Sequence, residues 1–162
     1  MTTITMTTVI DAPPSICFDV SLDVSVELQA ANQYGIRAIA GVTSGVMRQG
    51  ETVTWKLRQY GIWVSHTSII SDYESPSYFQ DRMIRGIFRS FEHNHFFHPM
   101  SAARTTMRDE VSFSLPFWLL GKVSEWLLVR RRIVDLLIRR NQLIKTHAEA
   151  AARCGSHSGN LD

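Results

Sequence analysis

The sequence predicts an α+β domain: a seven-stranded antiparallel sheet packed against one long C-terminal helix, with two short helices after the first strand. Three observations predict it. The first ten residues alternate β-branched and other side chains. Residues 34–116 divide into six runs of strand periodicity with short turns between them. The stretch from Phe117 to about Arg153 contains no proline and repeats its apolar residues at three- and four-residue steps.

Taken in order, Thr2 to Ile10 reads as the first strand and ends at Asp11. DAPPSICFDV then places proline where the first turn of a helix tolerates it, and SLDVSVELQAA continues as a second short helical piece. The six following strands are IRAIAGVTSGVM, GETVTWKLRQYG, IWVSHTSIISDYE, SYFQDRMIRG, FRSFEHNHFFHPM and ARTTMRDEVSFSLP. Gly50, Gly61, Ser75-Pro76, Gly86 and Pro99 punctuate them, and such short connections argue an antiparallel meander. Gly41 and Gly45 flank VTS without the strand-to-helix context of a phosphate loop, so they mark a bent strand.

In the final helix, steps of about 100° collect Leu119, Val123, Trp126, Leu127, Ile133, Val134, Leu137 and Ile144 on a side that must be buried. Lys122, Glu125, Arg132, Asp135, Arg139 and Gln142 gather on the side facing water. Arg130 and Asn141 project from the middle of the apolar face, where an uncompensated charge is costly. Either the groove beneath is partly polar or Arg130 snorkels out.

At 162 residues the chain is long enough for one domain with a substantial core, here residues 1–153, with 154–162 expected as a disordered tail. The net charge of +2 is concentrated in Arg130 to Arg132, Arg139 and Arg140, and no finger, phosphate loop or aromatic-basic platform supports a nucleic-acid partner. Cys17 and Cys154 lie near opposite ends, which argues against a structural disulfide. The N-terminus lacks a basic region followed by an apolar one. The most apolar run is broken by Lys122, Glu125 and Arg130 to Arg132, so neither a secretory signal nor a membrane span is expected. The expectation is a cytoplasmic protein.

A strand, two short helices, six meandering strands and a long helix, with IDAPPSICFDV, GETVTWKLRQYGI, PSYFQDRMIRGIFRSFEHNHF and TTMRDEVSFSLP in that order, resemble the START and birch-pollen-allergen (SRPBCC) superfamily. Within it the chain is most similar to bacterial polyketide cyclase/dehydrase and lipid-transport proteins, from Ile10 to Arg140. The resemblance implies a helix-grip fold, in which a curved seven-stranded sheet wraps the long helix and leaves a cavity between them. It implies binding, transport or sensing of a small hydrophobic ligand, lipid-like, polyketide-like or aromatic. The fold serves many functions, so the activity has to be argued from the site.

Side chains alternate along a strand, and one face must cover the helix. On the strand at 78–85 that face carries Phe79, Asp81, Met83 and Arg85. On 90–98 it carries Phe91, His93, His95 and Phe97, and on 105–113 Thr105, Met107, Asp109, Val111 and Phe113. Val53, Trp55 and Leu57 face inward earlier, and the phase that buries Val64 and Ile70 also turns His66 inward. The ligand-binding set expected on this basis is Trp55, His66, Phe79, Asp81, Met83, Phe91, His93, His95, Phe97, Met107, Asp109, Trp126 and Arg130.

A mostly apolar face that carries two aspartates and up to three histidines supports several readings. The bland one is a structural network in which aspartate pairs with histidine or arginine. The second is a polar patch that orients a ligand bearing a hydroxyl or carbonyl, and this reading, a binder without catalysis, is preferred. The third makes the chain a cyclase or dehydratase, with His93, His95, Asp81 and Asp109 as candidate acid/base groups. A metal reading draws on His93 and His95 at i and i+2 with an aspartate on a neighbouring strand. That pattern is short and common, and no metal or other cofactor is assigned. A protein-interaction module acting through homodimerisation stays open.

Overall fold

The computed structural model describes residues 1–59, 62–116 and 123–157, apart from the side chains of residues 59, 123–126 and 155–157. Seven strands form one antiparallel sheet: β1 (Thr2–Ile10), β2 (Arg37–Gly41), β3 (Thr52–Gln59), β4 (Ile62–Glu74), β5 (Tyr78–Arg85), β6 (Ser90–Ser101) and β7 (Arg104–Ser114). Their order across the sheet is β1-β7-β6-β5-β4-β3-β2. β2 to β7 are therefore a meander, and β1 returns beside β7.

Two short helices, α1 (Pro14–Ser21) and α2 (Val24–Ala30), follow β1. Proline opens α1, where its missing N–H is one of the donors a helix start leaves unpaired anyway. Asp23 caps α2, its carboxylate accepting from Ser25 N at 2.8 Å. The long helix α3 (Val123–His157) packs on α1, α2 and β1. It runs through Cys154 to His157, past the point where the sequence placed the end of the domain. No helix among the described residues is long and apolar enough to cross a membrane.

The core has two parts. Under α1, Phe18 sets its ring edge-on to Tyr73, Phe79 and Phe97 at centroid distances of 5.1–5.6 Å, with Met107, Ile144 and Ala148 around it. Toward the other end Val111, Phe113 and Leu115 meet Leu137, with Ile133 and Val129 partly buried beside them. Cys17 is buried and Cys154 exposed, with no disulfide between them.

The sheet has two edges. β2 is short, its pairing with β3 slips between Ala38 and Ala40, and it stops at Gly41. Gly41 has φ of 73°, and a side chain there would collide with the Thr52 carbonyl. At the opposite edge α3 reaches over β1, where Lys145 donates to the Val9 carbonyl at 2.6 Å and Glu149 accepts from Asp11 N at 3.1 Å.

Candidate functional site

A cavity of about 250 Å³, partly open to solvent, lies between the concave face of the sheet and α3. Its walls are mostly apolar: Val53, Trp55 and Leu57 from β3, Val64 and Ile70 from β4, Phe79 and Phe91 from β5 and β6, and Ile133, Leu136 and Leu137 from α3. Two-residue periodicity puts these strand residues on one face, because a side chain that packs inward forces its second neighbour inward too. Asp81, His93, Glu27 and Arg140 are the ionisable groups of one polar wall. His66 also reaches the cavity. It shares a hydrogen bond with Ser68 Oγ at 3.0 Å and lies edge-on to Phe91. Burial holds its imidazole below the ordinary histidine value.

Register assembles the polar wall. Asp81 faces His93 across β5 and β6, and His95 faces Asp109 across β6 and β7. His95 Nε2 meets Asp81 Oδ2 at 3.0 Å, and His93 Nε2 meets Asp109 Oδ1 at 2.9 Å. His95 Nδ1 also lies 2.9 Å from Asp109 Oδ1, and His93 Nδ1 lies 3.6 Å from Asp81 Oδ2. The two imidazoles overlap at 3.7 Å, and His95 stacks on Phe79 at 4.1 Å. The set is thus two histidines held between two carboxylates.

From the helix side Arg140 donates to the Ser21 carbonyl at 2.9 Å, pairs with Glu27 at 3.1 Å and approaches Asp109 at 3.5 Å. Asn141 Nδ2 donates to Asp109 Oδ2 at 2.7 Å and to Thr8 Oγ1 at 3.2 Å. Its Oδ1 is buried with no hydrogen-bond partner. Turning the amide over would aim that oxygen at Asp109, which cannot donate while ionised.

These contacts set the protonation of the cluster. Burial, joined by the neighbouring His95 charge, pushes the His93 imidazole down to about 4 against the pull of Asp109 and Asp81. Burial would raise both aspartates, but the hydrogen bonds and charges of the histidines outweigh it. Asp81 sits below the ordinary carboxylate value and Asp109 well below it. Glu27 goes the other way, because burial outweighs its pairing with Arg140 and raises its carboxyl.

Of the residues expected at the site, Trp55, His66, Phe79, Asp81, Phe91 and His93 line the cavity. His95 and Asp109 stand behind it, fully buried. Phe97 and Met107 do not line it: α1 covers that end of the sheet, and both belong to the closed core around Phe18. Met83 is also off the cavity, half-buried with its sulfur against Gly86. Arg85, near the end of β5, is exposed. Trp126 lies among the side chains outside the described residues, as do Leu119, Lys122, Val123 and Glu125.

Arg130 is exposed and does not reach the polar set. Its neighbours Leu127 and Leu128 are 56% and 49% exposed, so apolar spacing does not guarantee burial in this part of the helix. The cation that reaches the cluster is Arg140. It sits one turn before buried Ile144, so the same 100° step could have found it. Arg132, expected on the solvent side, borders the cavity with its guanidinium 5.0 Å over Tyr34. Glu27 carried no signal in the sequence, since its partner lies on a helix far along the chain.

No protein-family model matches the chain, and no curated protein matches it in sequence. Solved structures do match in shape. The protein TTHA0849 from Thermus thermophilus superposes with a TM-score of 0.66 at 13% identity, over 88% of this chain and 97% of that one. A START superfamily protein from Mycobacterium smegmatis gives 0.61 at 13%, over 92% and 98%. The Zhui aromatase/cyclase from Streptomyces gives 0.59 at 16%, over 94% and 93%. At such identities the likeness establishes the fold: this is the helix-grip fold that the sequence resemblance implied.

Proposed function

We propose that the protein binds a small, mostly apolar molecule between sheet and α3, with the molecule's polar end turned toward Asp81, His93 and Glu27. The observation that carries this reading is the cavity itself, a mostly apolar space of about 250 Å³ with Asp81, His93, Glu27 and Arg140 on one of its walls. That volume lies just below the roughly 300–1,000 Å³ of ordinary ligand sites, which favours a compact ring system or short chain over a long acyl lipid. Carboxylates on the wall favour a ligand end that donates hydrogen bonds, such as a hydroxyl or an amine. Transport, sensing or sequestration in the cell interior suits such a binder.

Catalysis is the second reading, favoured by one observation: His93, with its proton affinity lowered, lines the cavity beside Asp81. A neutral imidazole at a cavity wall is placed to take a proton next to a ligand carbonyl, as cyclisation or dehydration requires. The solved aromatase/cyclase of the same fold makes that chemistry compatible with the scaffold. His95 and Asp109, away from the cavity, would serve as positioning residues.

The test is a titration with an apolar fluorescent dye, followed by native mass spectrometry and organic extraction of gently purified protein. Leu57→Trp, which projects into the cavity, should weaken dye binding at least about tenfold while circular dichroism stays unchanged. Unchanged binding in that variant would remove the cavity as the site. Turnover of an extracted metabolite would move the assignment from binder to enzyme.

A further inference from the structure

Asp109 stands behind both imidazoles. Its Oδ1 lies 2.9 Å from His93 Nε2 and 2.9 Å from His95 Nδ1, and the carboxylate is fixed by Asn141 at 2.7 Å. A neutral imidazole carries one N–H, and the nitrogen that does not hold it presents a lone pair. Without an ion, His95 Nε2 can donate to Asp81 while its Nδ1 meets Arg140 at 3.5 Å. If both imidazoles instead turn their N–H toward Asp109, the lone pairs of His93 Nδ1 and His95 Nε2 face the same atom, Asp81 Oδ2, at 3.6 and 3.0 Å. In that arrangement three acceptors converge on one place at the cavity wall, which a cation can take in place of the proton.

Two further observations bear on what that is. Ligand atoms about 2.0–2.2 Å from a metal ion stand roughly 3.0–3.6 Å from one another. The candidate donor atoms of Asp81, His93 and His95 all fall within 4.8 Å of one another, with the two contacts above inside the narrower range. The surroundings are also rich in carboxylates: Asp81 and Asp109 flank the imidazoles, and Glu27 lies beyond Arg140.

We propose that Asp81, His93 and His95 bind a divalent first-row transition metal ion through one oxygen and two nitrogens, with Asp109 as the positioning residue that sets the tautomer of both imidazoles. A carboxylate behind each ligating histidine is the usual way a protein aims an imidazole at a metal. The nitrogen-rich donor set fits zinc, cobalt or iron better than magnesium or calcium. Asp81 and His93 border the cavity, so the coordination positions left over open onto the space where a ligand sits.

The experiment is a titration of the full-length, chelator-stripped protein with cobalt(II) and then zinc(II), following the cobalt visible absorption and the thermal midpoint. The expected result is saturable binding of one equivalent, displacement of cobalt by zinc, and a midpoint that rises with free metal. Asp81→Asn and His95→Gln should each weaken binding at least tenfold, and Asp109→Asn by about 10- to 100-fold. His147→Gln, on the exposed face of α3, should change nothing. Absence of cobalt binding tighter than about 1 mM in the unmodified protein overturns the proposal, whether or not the variants fold. So does binding that survives in folded Asp81→Asn and His95→Gln, because the ion would then lie elsewhere and protons would fill the place between the acceptors. Dye binding in the same metal-free samples reports the cavity separately, so either idea can fail alone.

Discussion

Ile144 and Ala148 in the C-terminal half of α3 are both 0% exposed, whereas Leu127 and Leu128 near its start are 56% and 49% exposed. The helix is one continuous amphipathic element, yet its later turns lie on α1, α2 and β1 while Val129, Ile133 and Leu136 roof a cavity. Amphipathic spacing therefore tells which side faces the sheet. How fully that side is covered depends on where α1 and α2 land. The polar wall lies where the two halves meet, between the packed aromatic core around Phe18 and the open space beneath Ile133.

The sharpest way to break this contrast is to remove a large side chain from each half. Phe18→Ala empties the closed core and should cost about 3–5 kcal/mol in denaturant unfolding. Leu136→Ala, which only enlarges an existing space, should cost about 1–2 kcal/mol. Equal costs would mean that the two halves are packed alike. A similar contrast separates the two arginines. Arg140→Ala leaves Glu27 and Asp109 without their cation and should cost about 3 kcal/mol, whereas exposed Arg130→Ala should stay within about 0.5 kcal/mol. A large loss at Arg130 would restore it to the cluster.

The polar wall between the two halves is probed by pH, read in chelator. His93 faces Asp81 from β5, His95 on its own strand and Asp109 from β7, with Arg140 and Glu27 beyond them. Its imidazole is held at about 4 in the fold against 6.5 in the unfolded chain. Between those values only the unfolded chain takes up the proton, so stability should fall as pH drops from 6.5 toward 4, by no more than about 3 kcal/mol. Glu27, raised by burial, opposes this: its stabilisation is present at low pH and lost as pH rises above 4.5. Asp81 and Asp109, both lowered, add their own loss below 3.8. His93→Gln should flatten the upper part of the profile. A wild-type profile already flat there would mean a solvated imidazole.

Alternation made much of this site legible. A strand has a rigid period of two, so Asp81, His93, His95 and Asp109 could be placed on one face from Phe79, Phe97 and Met107 alone. The same argument could not separate cavity from core: Phe97 and Met107 point inward as Phe91 does, and α1 happens to cover them. Nor could it rank Arg130 against Arg140. Both fall on the inner arc of α3, and the difference is made by Glu27 and the Ser21 carbonyl, which the fold brings to Arg140 from the other end of the chain.

The two sheet edges carry a consequence for self-association. An open sheet offers unpaired backbone at each border, and a long regular border strand invites a second copy to continue the ladder. Here one border is five residues long, out of step with its neighbour and cut off at Gly41. Along the other, Lys145 already occupies a carbonyl that an incoming strand would need. Replacing Lys145 would thus act on more than local stability: it would free that carbonyl and remove an obstacle to strand-by-strand polymerisation of the folded protein.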